Sequence, residues 1–260
     1  MKHLLTLLLL GGMVATAQKD DKESSKMKGV YSINYQMLNN GIKDEVLPTK
    51  QLKIFTEKYV MYAAKASPTD SLANFGIGTY SINKNKVMEN YFYIAGAGDV
   101  KDTAELNIEK LANGYKQVII YPPFKDTIFT LTEKYDKVDK VTKVTPLDGA
   151  WKLKSSYYIS RDDKKIPGNI NEFKIYQNGY FIWGACMKDS ATNKNLGYFG
   201  YGTFKMNGGT VTEINENTTF MTELFKKPIN VAIKFLGIDS YMQTIKYPNG
   251  ESGVEIYERL

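Results

Sequence analysis

Few side chains in this 260-residue chain have the type and spacing to do chemistry. The single histidine, His3, lies in the first residues, and the single cysteine, Cys186, sits in an apolar and aromatic stretch. If the leader is removed, the mature chain holds no histidine, which excludes Ser-His-Asp, Cys-His and His-metal mechanisms because each needs imidazole as base or ligand. Cys186 then has no base of the usual kind beside it and reads as a small buried hydrophobe. A carboxylate pair could still hydrolyse a glycoside, but the acids are scattered and no spacing singles out a pair. No D-x-D-x-D-G calcium loop occurs. The reading is therefore of a chain with no catalytic residues, no metal and no cofactor.

Glu89 and Glu213 are the acids of most interest. In a period-two strand they share a face with Val87 and Val211, so inward valines would bring inward carboxylates able to bind a ligand's cation or hydroxyls, or to titrate with a raised pKa. The alternative is an exposed strand carboxylate near a barrel mouth, the commoner fate of such a residue. Tyr59, Tyr62, Tyr180 and Trp183 could line an apolar cavity; taken singly, each is more often core packing. The hexapeptides "FGIGTY" (Phe75 to Tyr80) and "FGYGTF" (Phe199 to Phe204) carry G-x-G, but Ser81 and Lys205 stand where a dinucleotide loop needs its third glycine. Glycines allowing a bend or bulge at a barrel corner are the preferred reading.

These residues recur because the chain is written twice. "QLKIFTEKYVMYAA" (Gln51 to Ala64) aligns without a gap with "EFKIYQNGYFIWGA" (Glu172 to Ala185), so that Lys53 meets Lys174. "GVYSI" from Gly29 answers "GAWKL" from Gly149, and "GTYSINKNKVMEN" answers "GTFKMNGGTVTEI". Near the ends, "TLTEKY" around Lys134 answers "EIYERL" around Arg259. Alternating runs broken by "NKNK", "QNG" and "NGGT" read as successive antiparallel hairpins. The segment from Asp102 to Gly114 offers a short helix, with an Asp or Thr cap, Leu106 and Leu111, and an Asn-Gly stop.

Residues 1–17 read as a secretory signal peptide: a positive start, an apolar run from Leu4 to Val14 and an Ala15-Thr16-Ala17 cleavage site. Export through the Sec pathway to the periplasm or the exterior is the expectation, and no later stretch is apolar enough to span a bilayer. The net charge of +6 rests almost wholly on lysines interspersed with acids, with Arg161 and Arg259 the only arginines, so a nucleic-acid partner is not expected. Asn217-Thr218-Thr219 is a formal glycosylation sequon.

Short hairpins in a chain of few helices point to closed barrels, which leave no sheet edge. Gly149-Ala150-Trp151 resembles the G-x-W of the first strand in lipocalins and the wider calycin group, and the chain looks like the small secreted lipocalin-like domains of Bacteroidetes in tandem. In that family a cation from the last strand packs over the tryptophan. The resemblance implies Arg259 over Trp151, with Lys134 over Tyr31 in the first copy. The expected architecture is all-β: two tandem antiparallel lipocalin-like barrels over residues 27–140 and 147–260, joined by a short charged linker. The expected function is non-catalytic binding of a small apolar molecule in one or both barrels. The alternatives are an envelope module that binds a protein or glycan partner through its outer faces, its barrels having filled cores, and, third, a carboxylate-dependent hydrolase.

Overall fold

Alternating apolar and polar residues between Gly- and Asn-bearing turns fold into extended strands along nearly the whole chain. A computed structural model describes residues 27–65, 74–123, 127–139, 144–188, 195–220, 222–247 and 249–260. The leader at 1–17 and part of the linker, residues 140–143, lie outside the described residues. The first sheet comprises β1 (Gly29–Asn39), β2 (Asp44–Val46), β3 (Lys50–Phe55), β4 (Tyr59–Lys65), β5 (Asn74–Asn83), β6 (Lys86–Ile94), β7 (Gly98–Leu111), β8 (Gly114–Ile120) and β9 (Thr130–Lys137). The second comprises β10 (Gly149–Ile159), β11 (Lys165–Pro167), β12 (Ile170–Gln177), β13 (Tyr180–Lys188), β14 (Asn195–Asn207), β15 (Thr210–Thr218), β16 (Pro228–Phe235), β17 (Ser240–Lys246) and β18 (Ser252–Arg259).

Each sheet closes on itself because its first strand pairs with its last, Tyr31 opposite Lys137 and Trp151 opposite Arg259. The short β2 and β11 pair only with that first strand and lie outside the ring, which leaves eight antiparallel strands in each. The molecule is all-β, two closed antiparallel barrels in tandem. Turn chemistry fixes the hairpins: Asn178 and Gly179 both take positive φ, 52° and 82°, as a two-residue turn between right-twisted strands demands.

The segment from Asp102 to Gly114 is not a helix. It forms most of the long strand β7, and its Asn113-Gly114 "stop" is the hairpin into β8, with Gly114 at φ +127°. Leu106 is buried in the barrel while Leu111 ends the strand. Pairing with β6 and β8 overrides a weak helical pattern.

One end of each barrel is plugged. Leu147 is buried against the second core, and Trp151 Nε1 donates to its carbonyl at 2.7 Å. The Arg259 guanidinium lies 4.1 Å from the Trp151 ring centroid and donates to the carbonyls of Asp148 (2.9 Å) and Pro146 (3.1 Å). In the first barrel Met27 takes the place of Leu147. Lys134 does not lie over Tyr31: it sits outside the barrel, 5.0 Å over the Tyr35 ring. Lys137 holds the register of Arg259 and crosses Gly29 as Arg259 crosses Gly149.

The barrels pack on each other through the outer faces of corresponding strands. Leu52, Ile54, Met61 and Phe75 of the first meet Phe173, Ile175, Ile182 and Phe199 of the second in one buried cluster, which also holds Cys186. Full burial of such side chains contributes about 1.5–3 kcal/mol each. The Phe75 ring lies so close to Gly184 that a Cβ there would stand 2.5 Å from it.

The repeated hexapeptide serves two ends. Gly76 and Gly200 leave room for the rings of Tyr62 and Trp183, to which an added Cβ would come within 2.7 and 2.4 Å. Gly78 and Gly202 sit at β-bulges, where a Cβ would stand 2.2 Å from the Asn90 carbonyl oxygen and 1.9 Å from that of Ile214.

Candidate functional site

Strand periodicity places a polar cluster inside each barrel. Along β12, Glu172, Lys174 and Tyr176 alternate onto the interior face; β15 adds Glu213 and Asn215, β17 adds Tyr241 and Gln243, and β18 adds Glu255 and Tyr257. The first barrel carries Gln51, Lys53 and Phe55 on β3, Glu89 and Tyr91 on β6, Tyr115 and Gln117 on β8, and Glu133 and Tyr135 on β9. Strand register makes these the same positions, so the lysine, both principal glutamates, the glutamine and two tyrosines are shared. The copies differ at Gln51/Glu172, Phe55/Tyr176, Tyr62/Trp183 and Tyr91/Asn215.

In the first barrel the cluster is self-contained. Lys53 Nζ stands 2.6 Å from Glu89 Oε1, a close ion pair not aligned as a hydrogen bond, with both side chains almost wholly buried. Tyr91 donates to Glu89 Oε2 at 2.5 Å, and its ring stands edge-on to Tyr62 at 5.6 Å. Gln117 donates to Glu133, as do Gln36 at 2.6 Å and Tyr135 at 3.0 Å. Burial in low dielectric, followed by the Glu89 carboxylate, holds the Tyr91 phenol well above its ordinary value, so it is a neutral donor.

The second barrel differs at each substitution. Tyr176, where the first has Phe55, donates to Glu213 Oε1 at 2.7 Å, and Lys174 Nζ stands back from that oxygen at 3.8 Å. Lys174 donates to Gln243 at 3.2 Å, as Lys53 does to Gln117 at 3.4 Å. Asn215 replaces the bulk of Tyr91, and its Oδ1 is buried with no hydrogen-bond partner. A cavity of about 770 Å³ opens over this cluster, reaching Glu172, Lys174, Glu213, Asn215, Gln243 and Glu255. Its upper wall is apolar and includes Trp183, Met187, Tyr198, Phe220, Ile229 and Ile245.

The electrostatics follow from crowding. Burial, then the Glu255 carboxylate, pushes the Glu172 carboxyl up to about 8, against the pull of Lys174 and of the Tyr257 hydroxyl that donates to it at 2.6 Å. Crowding thus favours the neutral form of Glu172. Burial opposes the charge on Lys174, but Glu213, Glu172 and Glu255 outweigh it and hold the ammonium above its ordinary value. Among the described residues, no group of three or more His, Cys, Asp or Glu is placed to hold a metal ion.

Of the aromatics singled out in the sequence, Trp183 lines this cavity and Tyr62 lies over Gly76 against Tyr91. Tyr59 and Tyr180 do not join them. They pack on the inter-barrel cluster, and the Tyr180 hydroxyl donates to the Val138 carbonyl at 3.1 Å. Tyr59 and Tyr62 are three positions apart, as are Tyr180 and Trp183, and an odd spacing in a strand puts them on opposite faces. Glu89 and Glu213 are both interior, with Val87 and Val211. The sequence reading missed Lys53, Lys174, Glu172, Glu133, Glu255 and Asn215; the signal available was a lysine repeated within an otherwise apolar strand. Asn217 of the sequon is buried and donates to the Tyr201 hydroxyl at 3.2 Å.

No family model and no curated protein matches this chain. Among solved structures, the chain is similar to a protein of unknown function of the DUF3598 family from Nostoc punctiforme PCC 73102, at 13% identity and a TM-score of 0.26, covering 90% of this chain and 96% of that one. It is also similar to a lipocalin-like protein from Bacteroides uniformis ATCC 8492, at 16% identity and a TM-score of 0.29, covering 45% of this chain and 100% of the other.

Proposed function

We propose that this is an exported, non-catalytic binding protein whose second barrel holds a small, largely apolar molecule, while the first serves as its packed support. The observation that carries the reading is the cavity of about 770 Å³ in the second barrel, apolar above and polar at its floor. That size and lining suit a ligand whose affinity comes from buried apolar area and whose orientation comes from a few polar groups. In the first barrel the Tyr91 side chain occupies the level at which the cavity reaches Asn215. The residue pattern at 1–17 supports export to the periplasm or beyond. Among the described residues no helix is long and apolar enough to cross a membrane.

The test is native mass spectrometry of the mature protein before and after organic extraction, followed by titration with fatty alcohols, amines, acids and isoprenoids. A co-purifying mass removed by extraction, or saturable binding of a panel member that is lost in Asn215→Tyr, is the expected result. Absence of both would refute the reading.

A further inference from the structure

The polar floor of the second barrel has more acceptors than donors. Three carboxyl groups, Glu172, Glu213 and Glu255, face one lysine, Lys174. The remaining donors near them are neutral: the Tyr176 hydroxyl on Glu213, the Tyr257 hydroxyl with its one proton shared between Glu172 and Glu255, the Gln243 amide on Glu255, the unpartnered Tyr241 hydroxyl and the proton of Glu172 itself. Asn215 Oδ1 has no donor at all, although its side chain is more than nine-tenths buried and lines the cavity. Buried acceptors without partners are costly, and a ligand that supplies the missing donors recovers that cost. At the mouth the charged lining residues, Glu223 and Lys246, are of opposite sign and add no net field.

The first barrel shows what a balanced version looks like. There Gln51 replaces Glu172, Lys53 closes on Glu89 at 2.6 Å, and Tyr91 donates to that glutamate. The second copy has one more acid, a looser lysine and no tyrosine donor at Asn215. We propose that the polar floor of this cavity takes a protonated amine, so that the ligand is a cationic amphiphile with an apolar body. The ammonium group donates to Asn215 Oδ1 and the surrounding carboxylates, and the apolar body lies against Trp183 and Phe220. A cation beside Glu172 favours its ionised form, so binding is coupled to release of protons from this carboxyl to solvent.

This rests on the cavity being a binding site, and the experiment separates the two claims. Decylamine, decan-1-ol and decanoic acid share one chain length and differ in head group. Both tryptophans, Trp151 and Trp183, lie in the second barrel, so tryptophan fluorescence, excited selectively over tyrosine, reports on that barrel. The expected order is decylamine tighter than decan-1-ol by about tenfold or more, with decanoic acid weakest. Glu213→Gln should bring the amine to the level of the alcohol. Should that variant not fold, Glu172→Gln, which copies the first barrel, should weaken the amine and abolish the proton release seen by calorimetry in buffers of different ionisation enthalpy. Equal or tighter binding of the alcohol or the acid overturns the amine proposal alone. If none of the three binds, the cavity reading fails with it.

Discussion

Tyr176 donates its hydroxyl to Glu213 Oε1 at 2.7 Å, the same oxygen from which Lys174 stands 3.8 Å away. In the first barrel Phe55 has no hydroxyl to offer, and Lys53 closes on Glu89 at 2.6 Å. One oxygen atom thus sets whether the buried lysine is tied to its glutamate or held back from it. Tyr176→Phe should let Lys174 close on Glu213, lowering decylamine affinity several-fold while changing folding stability by no more than about 1 kcal/mol. Fluorescence titration and denaturant unfolding of the same sample check both parts.

Tyr91 and Asn215 occupy equivalent strand positions. Asn215→Tyr should fill the second cavity and reduce binding of every panel ligand by more than about tenfold, with the fold retained. The reverse change, Tyr91→Asn, removes a buried ring and should cost about 3–5 kcal/mol, read by urea or guanidinium unfolding.

Glu172 gives the protein a pH-dependent stability of definite sign. Its folded value is raised to about 8 from an ordinary 4.5, so between those values the folded state binds a proton that the unfolded state has lost. Stability from this group therefore falls as pH rises through that window. Glu172→Gln should match wild type below pH 4.5 and exceed it by on the order of a few kcal/mol above pH 8. Unfolding curves collected across this range would show a difference that grows with pH; a constant difference would contradict the assignment.

The buried Lys53–Glu89 pair is a liability when halved. Lys53→Met leaves Glu89 uncompensated and should cost about 3–5 kcal/mol, whereas Lys53→Met combined with Glu89→Leu should recover much of that loss. A double-mutant cycle by chemical denaturation measures the coupling.

Gly202→Ala places a methyl group against the Ile214 carbonyl at the β14–β15 bulge. The backbone cannot yield as a side chain would, so a loss of at least about 2 kcal/mol is expected. Gly208→Ala, with open space around it and a left-handed φ of +57°, should cost only about 1 kcal/mol.

Much of the architecture was legible because duplication amplifies weak signals. A single G-x-W says little, but two aligned strands, two hexapeptides and two glutamates in one order define a repeated hairpin barrel. Position on the strand was harder to read. The sequence aligns Lys134 with Arg259, whereas strand pairing puts Lys137, opposite Tyr31, in the place of Arg259, opposite Trp151. Lys53 and Lys174 show no inward signal in the sequence because β3 and β12 are buried on both faces, one on the lumen and one on the partner barrel, which erases the alternation that marks an inward residue. Asn215 carries no local signal at all. Its meaning lies in the contrast with Tyr91, which only strand pairing reveals.

The two barrels meet through the same patch on each copy, as the subunits of a symmetric dimer do. In such a dimer every substitution appears on both sides, so a change that opens one lumen opens the other and weakens both. Covalent linkage removes that constraint. With the copies in one chain, Tyr91 can stay in one half while the half carrying Asn215 is free to open its lumen.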